Sequence, residues 1–323
     1  MENLVQGLHH VTSCVSAAQE DVDFFAIIIG QRMIKQTVLF DGGESIYHLY
    51  YANRNAEIGT VMTTFPFKQS GRYGRKGSGQ VKVTSYTAPE ASLNFWVDRF
   101  KQYGVEHDPI SERFGQKRVH FYHPCGLEFE IVGDDNDKRE GWVTDEIPEQ
   151  YAVKGFHSVT MSVKDVEPQE DFLVEGFGYR NTGQDGPYTR LEIGVGGAQK
   201  TIFLLHEPDV PQGSWKFGVG TVHHVAFQVQ NDDELAKLKA YLEGLGYTDA
   251  SEIKDRNYFH SVYVRSPGGI LCEIASSDIG FAIDETMEEL GQKILLPPWF
   301  EDRREEILAP LEPIKNPQQK VSN

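Results

Sequence analysis

Residues 8–30 read Leu8-His9-His10-Val11-Thr12-Ser13-Cys14-Val15-Ser16-Ala17-Ala18-Gln19-Glu20-Asp21-Val22-Asp23-Phe24-Phe25-Ala26-Ile27-Ile28-Ile29-Gly30. The run 9–16 is short and rich in β-branched residues, which predicts a strand. The run 17–29 has apolar residues at helical spacing between acidic ones, and Gly30 supplies a stop. Strand-like runs follow at 33–39, 46–52 and 59–65. The stretch therefore opens a βαβββ unit.

The unit recurs three times, which makes the repeat the primary fact about the fold. Residues 80–86 predict a strand, 89–103 a helix and Gly104 its stop, with further strands running to 132. A third unit begins at 155–163, with a helix near 166–175 and a stop at Gly178; a fourth begins at 221–230, with a helix over 232–244 and a stop at Gly246. His10 to Gly30 and Ser158 to Gly178 both span 20 positions, whereas Lys82 to Gly104 and His224 to Gly246 both span 22. At an offset of 143, Arg113 falls on Arg256, Val119 on Val262, Pro124 on Pro267, Gly126 on Gly269, Glu130 on Glu273 and Ile131 on Ile274. Units one and three form one pair, and units two and four the other. The expected organisation is α+β, with modules at 7–66, 79–134, 153–208 and 219–278. Residues 133–140 form a charged linker, and 279–323 a C-terminal tail whose end, 310–323, is expected to fray. The segment 295–300 either packs over a domain or caps a site.

Composition narrows the function classes. Of 323 residues, 39% are hydrophobic and 24% charged, the balance of a globular chain. Lys plus Arg number 31 against 48 Asp plus Glu, a formal net charge of −17 that argues against nucleic-acid binding. The three cysteines, Cys14, Cys125 and Cys272, lack zinc-type spacing and suit a reducing cytoplasm. The first residues show no signal peptide, and no stretch has the length of a membrane span.

Three residues carry the chemistry. His10 heads the first strand of unit one, His224 the first strand of unit four, and Glu273 lies in that unit's last strand. Two histidines and a carboxylate form a facial set that holds Fe(II), or Mn(II), and leaves positions open for substrate and dioxygen. Thr63 stands where unit one would match Glu273. Ser158 stands at the His10 position of unit three, Lys82 at the His224 position of unit two, and Glu130 has no accompanying histidines. The economical reading is one full site, from units one and four, and one empty counterpart. Successive strand residues face opposite ways, so one histidine of each pair, His9-His10 and His223-His224, is expected to point inward. The second of each is taken as the ligand. Phe65, Tyr258 and Phe259 read as core.

Four βαβββ units with His heading a strand and Glu in a final strand resemble the vicinal oxygen chelate superfamily. Gly7-Leu8-His9-His10, Gly30-Gln31-Arg32, Tyr47-His48-Leu49-Tyr50, residues 59–66, Arg113-Phe114-Gly115-Gln116, Gly155-Phe156-His157-Ser158 and Gly220-Thr221-Val222-His223-His224 are similar to the hydroquinone ring-cleaving dioxygenases of that superfamily. The resemblance spans nearly the whole chain. It implies two open-barrel, cup-like domains, a metal held by His10, His224 and Glu273, and further functional residues at His9, Thr12, His223, Arg256 and Tyr263. The segment Arg256-Asn257-Tyr258-Phe259-His260-Ser261 departs from the family's Arg-Gly-Tyr-Phe-Glu-Ser.

The implied reaction is opening of hydroquinone, or a chloro- or methyl-substituted one, by O2 beside a hydroxyl-bearing carbon. The hydroxyls of a hydroquinone lie para, so only one reaches a metal and protein groups must hold the other. Histidine can take and return a proton near neutrality, which suits His9 or His223. Arg256 would stabilise oxyanion charge, and Thr12 and Tyr263 would orient substrate or oxygen. The partners expected are a small aromatic diol and O2, with no nucleic acid or membrane; homo-oligomerisation is left open. Two other readings stand beside this one, a catecholic extradiol dioxygenase and a non-catalytic small-molecule binding protein of the same fold. A glyoxalase-type isomerase is disfavoured by Thr63, where a fourth ligand would be sought.

Overall fold

The computed structural model describes residues 4–40 and 45–318. The first unit comprises β1 (Gly7–Val15), α1 (Ala18–Val22), β2 (Arg32–Val38), β3 (Tyr47–Ala52) and β4 (Val61–Pro66). The second comprises β5 (Gln80–Ala88), α2 (Leu93–Tyr103), β6 (Ser111–Arg113), β7 (Gln116–Tyr122) and β8 (Glu128–Gly133). β9 (Gly155–Val163), α3 (Val166–Asp171), β10 (Arg180–Asp185), β11 (Tyr188–Glu192) and β12 (Thr201–His206) follow. The last unit is β13 (Thr221–Val229), α4 (Asp232–Gly244), β14 (Lys254–Asp255), β15 (His260–Arg265) and β16 (Leu271–Ser276).

These strands form two curled eight-stranded sheets, giving the α+β, two-cup architecture. One has the order β14-β15-β16-β13-β1-β4-β3-β2, the other β10-β11-β12-β9-β5-β8-β7-β6. In each unit the last strand lies parallel to the first, as β4 does to β1 and β16 to β13. The two halves of each sheet join through an antiparallel pair, β1 with β13 and β5 with β9.

The helix expected over 17–29 is α-helical only to Val22 and continues as a π-helix over Asp23–Ile28. The wider i→i+5 turn lets the adjacent Phe24 and Phe25 both face inward, with ring centroids 4.5 and 5.9 Å from His123. The third unit repeats this device over Phe172–Gly176. Gly30 ends the first helix at φ 71°, and a Cβ there would meet the Ile147 side chain at 2.3 Å.

Each central pair carries two β-bulges. Between β1 and β13, Leu8 faces Phe227 and His10 faces Ala226, so His9 is the extra residue. Thr12 faces His224 and Ser13 faces Val222, so His223 is the extra residue on the other strand. The same offsets in β5 and β9 make Lys82 and His157 the extra residues. Register therefore corrects one equivalence: Val83 matches His224, and Lys82 matches His223.

The tail corrects another expectation. Residues 310–318 are tied down, with Asn316 donating to the Gly291 carbonyl at 3.0 Å and Gln318 to the Gln31 carbonyl at 2.7 Å. Leu311 and Ile314 also pack on the core; residues 319–323 lie outside the described ones. Upstream, the tail buries Lys35 against Asp284 and Glu285, and Leu296 packs on Val38 beside Phe300. Phe40, a residue of the cavity wall, meets both Trp299 and Phe300, so this stretch packs behind that wall.

Candidate metal centre and cavity

β1, β13 and β16 are neighbours, and Glu273 lies opposite Ala226, two residues beyond His224. His10 Nε2 is 3.0 Å from His224 Nε2 and 3.0 Å from Glu273 Oε2. His224 Nε2 is 2.8 Å from the same oxygen. All three residues are buried, yet neither Glu273 oxygen has a hydrogen bond of acceptable geometry. The atoms converge on a common point and leave the carboxylate unsatisfied. A desolvated carboxylate in that state needs a cation, and an N2O donor set fits a divalent transition metal. Burial would raise the Glu273 carboxyl, but His224 and His10 hold it well below its ordinary range, so it is an anion.

Hydrogen bonding behind the two histidines sets their tautomers. His9 Nε2 lies 3.2 Å from the Ser276 carbonyl, which only accepts, so Nε2 carries the proton. Burial, then the charge of His10, lower the His9 pKa to about 3, which keeps the ring neutral. His9 Nδ1 must then accept from His10 Nδ1 at 2.9 Å, and the His10 Nε2 lone pair is left facing the centre. His223 and His224 repeat the arrangement, Nδ1 to Nδ1 at 2.8 Å. The expected alternation fails only at the second pair, where His223 and His224 both line the cavity; His9 and His223 are bulge residues, and a bulge re-aims its side chain.

His10 and His224 line a cavity of about 530 Å³. His223, Arg256 and Tyr263 line it, whereas His9 and Thr12 do not. Tyr263 faces Glu273 across the β15–β16 pair, and the Arg256 guanidinium lies 5.2 Å over the Tyr263 ring. Burial, then Glu273, push the Tyr263 hydroxyl well above its ordinary value. Burial, then His224, hold His223 well below the usual imidazole range. Thr12 reaches Thr63, Oγ1 to Oγ1 at 2.7 Å, and Thr63 in turn meets His48 Nε2 at 2.9 Å. Thr12 thus lies behind the cavity wall.

His48 and Tyr50 line the cavity and received no role from sequence. Tyr50 OH lies 3.0 Å from His48 Nδ1, so both ring nitrogens of His48 are engaged. Their alternation along β3, with Tyr50 opposite Thr63 of β4, is the signal that marks one face. Phe65 and Phe259, read as core, also border the cavity, while Tyr258 turns away and bonds Asp284. In the departing segment, Asn257 takes φ 65°, which asparagine tolerates in place of glycine. His260 points to Asp232 at 2.8 Å, away from the cavity wall.

The second cup holds no equivalent triple among the described residues. Arg113 and Arg118 reach Glu130 at 2.6 and 3.1 Å, and Ser85 donates to it at 2.9 Å.

The glyoxalase/bleomycin resistance protein/dioxygenase superfamily model matches residues 155–274. The chain is 42% identical over 306 residues to a chlorohydroquinone/hydroquinone 1,2-dioxygenase of Sphingobium indicum, covering 94% of this chain and 95% of that one. It is 36% identical over 315 residues to MhqO of Bacillus subtilis, named as a ring-cleaving dioxygenase, covering 98% of each. The crystal structure of a protein named as a dioxygenase from Bacillus subtilis superposes with TM-score 0.91 at 36% identity, over 98% of this chain and 99% of that one. Glyoxalase I from Zea mays shares the fold, with TM-score 0.60 at 13% identity over 84% of this chain and 92% of that one.

Proposed function

Because this chain belongs to the hydroquinone ring-cleaving dioxygenase family of the vicinal oxygen chelate superfamily, we propose that it is an Fe(II)-dependent enzyme that opens hydroquinone or chloro- and methyl-substituted hydroquinones with O2. Cleavage falls beside a hydroxyl-bearing carbon. The convergence of His10 Nε2, His224 Nε2 and Glu273 Oε2 within 3.0 Å of one another carries this reading. The cup built by modules 7–66 and 219–278 is the active one.

His10, His224 and Glu273 hold the metal, and Mn(II) accepts the same donors. Bound there, the metal supplies Lewis acidity toward one substrate hydroxyl and the electron exchange that dioxygen requires. The protein handles the remote para oxygen. With His224 Nδ1 donating to His223 Nδ1, His223 keeps its proton on Nε2, a donor at the cavity wall. His223 holds the remote oxygen, and Arg256 stabilises negative charge that develops on it. Tyr263 orients substrate from the opposite strand. His9 and Thr12 support His10 and the Thr63-His48 wall, so the acid/base role falls to His223 and not to His9. With free cysteines and a ligand set that suits Fe(II), the enzyme works in a reducing cytoplasm. No helix among the described residues is long and apolar enough to cross a membrane.

The test is oxygen uptake by anaerobically Fe(II)-loaded protein given hydroquinone, methylhydroquinone, chlorohydroquinone and catechol in turn. Uptake with the para-diols and little with catechol is expected. Preference for catechol would make it an ordinary extradiol enzyme, and no uptake without retained iron a binding module.

A further inference from the structure

We propose that the site is built for hydroquinones bearing a bulky apolar substituent, such as a tert-butyl, longer alkyl or aryl group, seated in an aromatic chamber beyond His223 and His48. This rests on the dioxygenase reading and deepens it.

Size is the first argument. The cavity holds about 530 Å³, whereas bare hydroquinone at interior packing density occupies roughly 150 Å³. A metal ion and a few waters, at about 30 Å³ per water, still leave a large part of the space. A methyl or chloro group fills little of it.

Aromatic side chains wall much of the cavity beside His48 and His223. Phe65 stands 4.3 Å from the His48 ring and 5.6 Å from His223, and Phe217 stands 3.9 Å from His223, centroid to centroid. Leu39, Phe40 and Phe67 continue the wall. The chamber therefore begins at the groups that hold the remote hydroxyl. Phe65 and Phe67 pack with Cys14, Ile46 and Val219 in one buried cluster, with Leu39 and Phe217 against it. Rings backed in this way cannot collapse into the space. Arg72, Lys216, Lys254 and Arg256 also line the cavity; three of them lie over rings, Arg72 at 5.0 Å over Phe67, and Lys254 and Arg256 at 5.9 and 5.2 Å over Tyr263. They extend the stacking surface. Each methylene buried in such a chamber strengthens binding about three- to fourfold.

The experiment ranks hydroquinone, methyl-, chloro-, tert-butyl- and phenylhydroquinone and 2,5-dihydroxybenzoate on the Fe(II)-loaded protein. Affinity is read anaerobically from tryptophan fluorescence, and kcat/KM from oxygen uptake. Both are expected to rise at least tenfold from hydroquinone to the tert-butyl or phenyl compound. Leu39→Trp, which narrows the chamber, is expected to erase that ratio; if the variant fails to fold, the ranking on the native chain decides alone. Best binding by hydroquinone, methylhydroquinone or chlorohydroquinone would overturn the proposal. So would best binding by 2,5-dihydroxybenzoate, which would mean that the cations select an anion. Absence of oxygen uptake with every diol would sink the dioxygenase reading, while the affinity ranking would still decide the chamber.

Discussion

His9 and His10 are neighbours on one strand, yet the first hydrogen-bonds the second at 2.9 Å and sets its proton. Replacing His9 by Phe removes the acceptor for His10 Nδ1. Iron affinity is expected to fall about 10- to 100-fold, read by chelator competition, with turnover restored at saturating iron. His10→Ala or Glu273→Ala should instead abolish stoichiometric iron, because each deletes one of three donors. Arg256→Ala should leave iron in place and lower turnover by about 10²- to 10³-fold, the cost of losing a charge aimed at a developing oxyanion; iron lost along with turnover would make Arg256 structural. The three converging residues were legible because their side chains have few uses together. His48 received no role although it stands in the matched stretch 47–50, since a histidine whose two nitrogens are taken by Thr63 and Tyr50 carries no ligand spacing of its own.

At the scale of the strand pair, the same architecture carries a metal-type centre in one sheet and an ion cluster in the other. Burial would push the Glu130 carboxyl up, but His120, Arg113 and Arg118 hold it well below the carboxylate range. With the folded pKa depressed, this cluster contributes stability that is fully present above about pH 4.3, the unfolded value, and is lost as pH falls further. Glu130→Gln should therefore flatten the acid limb of a melting-temperature profile. It should also cost about 3–5 kcal/mol at neutral pH, because Arg113 and Arg118 would stay buried without their anion. The repeat that pairs these strands was readable from a constant offset of 143. The bulges and π turns were not. Apolar periodicity reports which face is buried, and one extra residue in a strand or helix turn leaves that pattern almost unchanged.

At the scale of the whole chain, two sheets of eight strands provide two cups and, among the described residues, one complete donor set. Metal analysis of the loaded protein should give one iron per chain; two would mean that the arginine-filled cup also binds. The four-unit plan was visible in the sequence, because each unit carries its own helix stop. The tail was misread at its end because polar residues such as Asn316 and Gln318 look solvated until their backbone partners are known. The joining of β1 to β13 has a consequence for synthesis. These strands are more than two hundred residues apart in the chain, and at about 5–20 residues per second the ribosome separates their emergence by roughly 10–40 s. Through that interval β1 presents an open edge to any passing strand, and β9 can meet β5 long before the true partner exists. The inner pair therefore closes first, and the outer sheet, with the donors it brings together, is the last part of the nascent chain to be completed.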